Sequence, residues 1–242
     1  KLSEKQELIA ENNDYLDLYF NPLVTSRIVH EKVGVHVLPE PLPFSPEPLP
    51  YSTIAPSQMV DRGQATRSHR EDPNARARGA VTHRLMEHLG HGRPLPEPVS
   101  LAAALINEGV PETEAKPLAS EILKEIQLCL QEDFFSWLLK QEHPQAYSEW
   151  SLEDRPTADK IRTGTVDRVV FDGSNWWVVD YKTSRPLDDE SVDSFLARES
   201  YLYRPQLHAY GEMVANYFKA DLRSVRTVLY FTALQRKVQV DS

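Results

Sequence analysis

The stretch Gly164-Thr-Val-Asp167-Arg-Val-Val-Phe171-Asp172-Gly-Ser-Asn175-Trp176-Trp-Val-Val-Asp180-Tyr-Lys182-Thr-Ser184 decides how the rest of the chain is read. Two β-rich runs, Thr165 to Phe171 and Trp176 to Lys182, flank Asp172-Gly173-Ser174-Asn175, a strong turn signal. Pairing Phe171 with Trp176 across that turn, and counting back along an antiparallel ladder, puts Asp167 directly opposite Asp180. Both then point to one face, and Lys182 shares it because strand side chains alternate with period two. Opposed carboxylates repel, so a hairpin with no other task avoids them. A divalent cation between them reverses the sign of that interaction, and hard oxygen ligands suit Mg²⁺ or Mn²⁺. A lysine beside the cation can hold a water or a phosphate oxygen without being a ligand. On a solvated hairpin face the same residues are ordinary surface charge, and the stretch by itself leaves both readings open.

The 242 residues, 40% hydrophobic and 26% charged, are ordinary for a soluble globular protein large enough to bury a core. No apolar run approaches the length of a membrane span, and no signal peptide opens the chain. The single cysteine, Cys129, excludes an intramolecular disulfide and suits a reducing compartment, so a cytoplasmic location is expected. A formal net charge of −9 argues against a nucleic-acid binder. The charge is uneven, however. Residues 1–56 hold four basic and eight acidic side chains, a balance of −4, whereas Arg62 to Arg93 holds seven arginines against Glu71, Asp72 and Glu87. Carboxylates of a metal site also count as negative until an ion neutralises them.

Taken in order, residues 2–20 carry a helical pattern, and prolines at 39, 41, 43, 46, 48, 50 and 56 mark a semi-rigid connector. This sets a boundary between an appendage at 1–56 and a domain at 57–242. The chain starts at Lys1 rather than Met, which reads as a fragment of a longer polypeptide. Helices are expected at Ala75 to Leu89, Leu101 to Asn107 and Pro117 to Leu130, with another turn or two around Phe134 to Leu138. A strand from Ala146 to Leu152 carries Glu149. A short helix is expected from Asp189 to Arg198, then a separate one beginning at Pro205 and running to Phe218. Strands at Val225 to Thr232 and Lys237 to Val240 close an α/β pattern. His83 lies on the first of these helices, where a lone histidine is more often a satisfied structural residue than a ligand. Arg76, Arg78 and Arg84 on the same helix are candidate phosphate contacts, or a solvated face. Gln206 and Tyr210, four apart, can point at one site.

Five segments occur here in the order of the RecB-family nuclease motifs. They are Arg-Gly-Ala-Val-Thr-His83-Arg, the strand with Glu149, Gly-Thr-Val-Asp167-Arg, Val-Val-Asp180-Tyr-Lys182-Thr-Ser and Tyr203-Arg-Pro-Gln206-Leu-His-Ala-Tyr210. Over roughly residues 75–232 the chain resembles the C-terminal nuclease domain of bacterial RecB and AddA helicase–nucleases, within the PD-(D/E)XK superfamily. The resemblance implies a mixed β-sheet flanked by helices and a DNA-cleaving site that uses Mg²⁺ or Mn²⁺. It implies that His83, Asp167, Asp180 and the backbone carbonyl of Tyr181 ligate the metal, and that Lys182 positions the attacking water or stabilises charge. Glu149, Gln206 and Tyr210 complete the implied site. The branch of the family with an iron–sulfur cluster needs four cysteines, from which this chain departs. It also implies a superfamily 1 helicase in the same polypeptide and a second subunit as partners, although no Gly-x-x-x-x-Gly-Lys-Ser/Thr loop is present in the chain.

The reaction expected is phosphodiester hydrolysis on DNA ends or single strands, in double-strand break repair and recombination. Rival readings are a catalytically silent DNA-binding or scaffolding domain and a sequence-specific endonuclease of the same superfamily. Whether Lys182 is cationic or neutral depends on whether burial or the neighbouring carboxylates win.

Overall fold

The computed structural model describes residues 52–60 and 73–240. The helix at 2–20, most of the proline-rich connector and the arginines at 62, 67 and 70 lie outside the described residues. In chain order the elements are β1 (Ser52–Ile54), α1 (Ala75–Gly90), α2 (Pro98–Asn107), α3 (Glu112–Cys129), α4 (Asp133–Leu138), β2 (Gln145–Thr157), β3 (Lys160–Phe171), β4 (Trp176–Lys182), α5 (Val192–Phe218), β5 (Val225–Phe231) and β6 (Arg236–Val240).

The turn between β3 and β4 forms as its sequence dictates. Asp172 Oδ1 accepts the Ser174 and Asn175 amides at 2.8 and 2.7 Å, and Gly173 takes φ +98°, where a Cβ would be strained. Phe171 therefore sits opposite Trp176, and the antiparallel ladder runs back to Arg168–Val179. The sheet is mixed, with order β1-β3-β4-β5-β6 and β2 on the other side of β3. β1 and β3 pair in parallel, as do β4 and β5. Residues 52–54, placed in the connector by composition, are thus part of the sheet.

Helices α1 to α4 cover one face and α5 covers the other. Val179, Tyr181, Val228 and Tyr230 pack under the first layer with Val81, Leu85, Ile122 and Phe135. The alternate residues Val178, Leu229 and Phe231 pack against α5 through Met213, Val214, Phe195 and Leu207. Both faces of the central strands are therefore buried. Each large apolar side chain so placed contributes roughly 1.5–3 kcal/mol over leaving it exposed.

The region from Val192 to Phe218 is one helix of 27 residues, not two, with Pro205 inside it. Proline removes the hydrogen bond to the carbonyl four residues back, here Tyr201. Tyr201 and Pro205 both lie on the exposed side, where solvent can serve that carbonyl, while Leu202 and Gln206 are buried. Packing on the buried stripe thus outweighs the local break.

Arg168 ties the layers together. Only 2% exposed, it donates to the carbonyls of Gly90 (3.1 Å) and Leu138 (3.0 Å) and to Ser148 Oγ (2.9 Å). Removing the guanidinium orphans buried acceptors at the ends of α1 and α4. Arg168→Met is expected to cost about 3 kcal/mol, read as a lower urea midpoint with an unchanged m-value.

Candidate active site

The site forms where β3 and β4 part. Arg168 faces α1 and Val169 faces α5, so strict alternation would send Asp167 towards α5 and Val166 towards α1. The reverse occurs: Val166 packs in the α5 core, while Asp167 Oδ1 lies 3.3 Å from His83 Nδ1 on α1. β2 switches faces at the same level. Ser148 bonds Arg168 on the α1 side, Glu149 Oε1 lies 3.9 Å from His83 Nδ1, and both Tyr147 and Trp150 pack towards Phe218 of α5. The cause lies in the backbone of Glu149, whose φ is +45°, a left-handed value costly for a residue with a Cβ. The β2–β3 register is the same on either side of the switch, Ser148 opposite Arg168 and Trp150 opposite Val166. Two neighbouring strands thus turn one acid each towards the same histidine.

Asp167 also ends the β3–β4 ladder. Its Oδ2 accepts the Tyr181 amide at 2.6 Å, a donor that a continued ladder would have given to the β3 backbone. Because Lys182 O accepts from Thr232 N on the β5 side, alternation turns the Tyr181 carbonyl to the β3 side, with its N–H. Asp180 and Lys182 keep the α5 face. Asp180 Oδ1 accepts from Gln206 Nε2 at 3.0 Å, and Oδ2 lies 2.5 Å from Lys182 Nζ. Tyr210, one turn beyond Gln206, reaches Gly164, where a Cβ would stand 2.8 Å from its ring. Only glycine leaves that space.

The expected hairpin register is therefore present, but Asp167 and Asp180 do not share a face at its end. Asp167 joins Glu149 and His83. Ligand atoms of these three lie within 4.8 Å of one another, a group that Asp180 is not part of. Asp180 is nevertheless near enough for Asp167 to act on its ionisation.

Burial and mutual repulsion dominate the electrostatics. Burial, reinforced by Asp167, pushes Glu149 up to about 7. Burial lowers the His83 pKa, but the Asp167 carboxylate outweighs it and the imidazole rises to about 9. Burial would raise Asp167 too; the opposing His83 and Lys182 charges and the Tyr181 amide leave it below its ordinary value. Asp180 is raised, first by burial. Burial lowers Lys182, but Asp180 outweighs it and leaves the group above its ordinary value, a cation. Two crowded acids, Glu149 and Asp167, facing one imidazole on the α1 side form an oxygen-rich donor set that fits a hard divalent cation, with Asp180 close by on the other face.

The arginines expected to grip DNA differ in fate. Arg78 is 6% exposed and binds Glu121 and Glu125 of α3 at 2.9 and 2.8 Å. A buried, doubly paired guanidinium cannot meet a phosphate, which corrects that expectation. Arg84 pairs with Glu108. Arg76 is exposed. Sequence reasoning passed over Glu199 and Ser184 and gave Tyr203 no role. Their signal was the 4-3-4 spacing of Glu199, Tyr203, Gln206 and Tyr210, hidden when α5 was divided at Pro205.

Among curated proteins no significant match is found. Asp180-Tyr181-Lys182 has the spacing of a (D/E)XK element, and the family model described as PD-(D/E)XK nuclease superfamily matches residues 58–240, most of the chain. The chain belongs to the PD-(D/E)XK nuclease superfamily.

Proposed function

We propose that this protein is a metal-dependent deoxyribonuclease that hydrolyses phosphodiesters at DNA ends or in single strands. One observation carries the reading: donor atoms of His83, Glu149 and Asp167, from three separate elements, converge within 4.8 Å beside Asp180 and Lys182. Nucleases of this superfamily use divalent metal ions, and Mg²⁺ or Mn²⁺ is the cation proposed. His83, Glu149 and Asp167 would hold it, with Asp180 and the Tyr181 carbonyl adjoining. The cation would supply Lewis acidity and lower the pKa of water at the site.

The chain's own groups do the remaining work. Lys182, cationic in this setting, offsets negative charge developing on the phosphoryl group or holds the attacking water. Gln206 fixes one Asp180 oxygen, so the carboxylate cannot rotate freely. Tyr210, held protonated by burial and the nearby acids, keeps a hydroxyl hydrogen to donate. Arg76 is the exposed cation of α1 available to the DNA backbone.

The order of the five motifs further supports a role as the C-terminal part of a cytoplasmic helicase–nuclease in double-strand break repair. In this reading residues 57–242, with β1 added, form the nuclease unit. A superfamily 1 helicase on the same polypeptide, with a second subunit, delivers the strand.

The test is cleavage of end-labelled single-stranded DNA with Mg²⁺ or Mn²⁺. EDTA should abolish it, and Asp180→Asn or Lys182→Ala should lower the rate by roughly 10²-fold or more. DNA binding without metal-dependent cutting under any of these conditions would instead identify a silent binding module. Discrete fragments from circular duplex DNA would identify an endonuclease.

Glu149 should show a conflict between stability and activity. Glycine relieves the positive φ and removes a repelled carboxylate, so Glu149→Gly should raise stability by about 1 kcal/mol while cleavage falls. A thermal melt run beside the cleavage assay measures both.

For the metal-free protein the pH dependence has a definite sign. Glu149 at about 7 and His83 at about 9 both lie above their ordinary 4.5 and 6.5. Their stabilising contributions are complete below those ordinary values and are lost as pH rises through the folded ones. Asp167 acts oppositely, but below its ordinary 3.8. The urea midpoint should therefore fall between about pH 5 and pH 9, and Mg²⁺ or Mn²⁺ should restore it most at the alkaline end, where protons oppose binding least.

A further inference from the structure

Three side chains of α5 hold three alternate residues of β4 and its extension. Gln206 donates to Asp180 Oδ1, the Tyr203 ring lies under Lys182 with Nζ 3.8 Å from its centroid, and Glu199 accepts from Ser184 Oγ at 3.0 Å. The match is geometric. Residues 199, 203 and 206 advance along one helical stripe in steps of four and three, while 180, 182 and 184 share one strand face. Glu199 is buried, and Arg198 bonds it at 2.5 Å.

Lys182 needs such support more than its neighbours. Its four-carbon stem is flexible, and its ammonium has two contacts of known geometry: Asp180 Oδ2 and the Tyr203 ring. Asp180 adjoins the cluster proposed to receive a cation, so its oxygens have a competing demand. An aromatic face attracts an ammonium but offers no ligand to a hard cation.

We propose that Tyr203 is a positioning residue for Lys182: its ring holds the ammonium at the cleavage site independently of Asp180. The effect on cleavage rests on the nuclease reading; the placement of the ammonium does not. The ring, not the hydroxyl, is the acting group.

The test uses the full chain, Tyr203→Phe, Tyr203→Leu and Tyr203→Met, with Lys182→Ala to identify the lysine signal. In ¹H–¹³C NMR the Lys182 ε-methylene protons should be shifted upfield by the ring in the parent and in Tyr203→Phe, and return to ordinary lysine positions in the Leu and Met variants. In cleavage assays Tyr203→Phe should stay within about twofold of the parent, and Leu and Met should lower kcat roughly tenfold to a hundredfold with KM nearly unchanged. Thermal melts identify any variant that fails to fold, and the Lys182 signal of the parent and of Tyr203→Phe decides the matter even then. An unshifted Lys182 signal in the parent would overturn the proposal. So would Leu and Met variants that fold and keep the parental kcat, or a Phe variant as impaired as Leu. A parent that shows the shifted signal yet cuts no DNA would uphold the placement of Lys182 and sink the nuclease reading instead.

Discussion

The structure around the site depends on the Asp167 carboxylate. One of its oxygens takes the Tyr181 amide and so closes the β3–β4 ladder; the other faces His83 across the α1–sheet boundary. A side chain that replaces a backbone acceptor lets the strands splay without leaving a buried N–H unpaired, which would cost about 1–3 kcal/mol. The splay in turn frees the Tyr181 carbonyl edge and gives the cluster room. The same charge that favours the His83 cation pushes Glu149 and Asp180 towards protonation. The fold therefore places acids where they disfavour one another, and the proton on His83 only partly offsets the repulsion. A divalent cation in that position would replace the proton and relieve all three acids together, which links metal affinity to the strain described.

Much of this could be read from residues close together in the chain. Asp172-Gly173-Ser174-Asn175 specifies its own turn through Asp172 Oδ1, so the pairing of Phe171 with Trp176 followed directly. The apolar periodicity of Val81, Leu85 and Leu89 found α1 to within a residue of its end. The face switch at Glu149 could not be read, because it rests on a positive φ in a residue type that seldom adopts one. Its only trace is an odd spacing of large apolar residues, Tyr147 with Trp150 and Val166 with Val169, at the level of the two acids. The partners of Arg78 were equally hidden. Glu121 and Glu125 lie more than forty positions away, on a helix whose docking is decided by packing.

Net charge is clearer once the pairs are known. Arg78, Arg84 and Arg162 are bound to carboxylates, and Arg168 to carbonyls and a serine hydroxyl. These cations stabilise layers and are not presented to a ligand. A chain of −9 with these four arginines engaged in this way would exert little long-range pull on a polyanion. Encounter with DNA then depends on local contacts near the site, or on another element that brings the strand to it. Such dependence is consistent with the proposed attachment to a helicase, whose translocation would supply the substrate that electrostatics does not.

The contrast between the two faces of the sheet suggests how labour is divided. On the α1 side, acids crowd an imidazole, and the geometry is strained and electrostatically unfavourable without a cation. On the α5 side, Asp180, Lys182 and Ser184 are each held by a residue of a single continuous helix. Under the proposed function, the groups that would adjust when an ion binds sit on the first face, and the ammonium that would be held still sits on the second. A helix interrupted at Pro205 would lose the spacing that keeps Tyr203 and Gln206 in step, so the continuity of α5 through its proline is part of the site and not only of the fold.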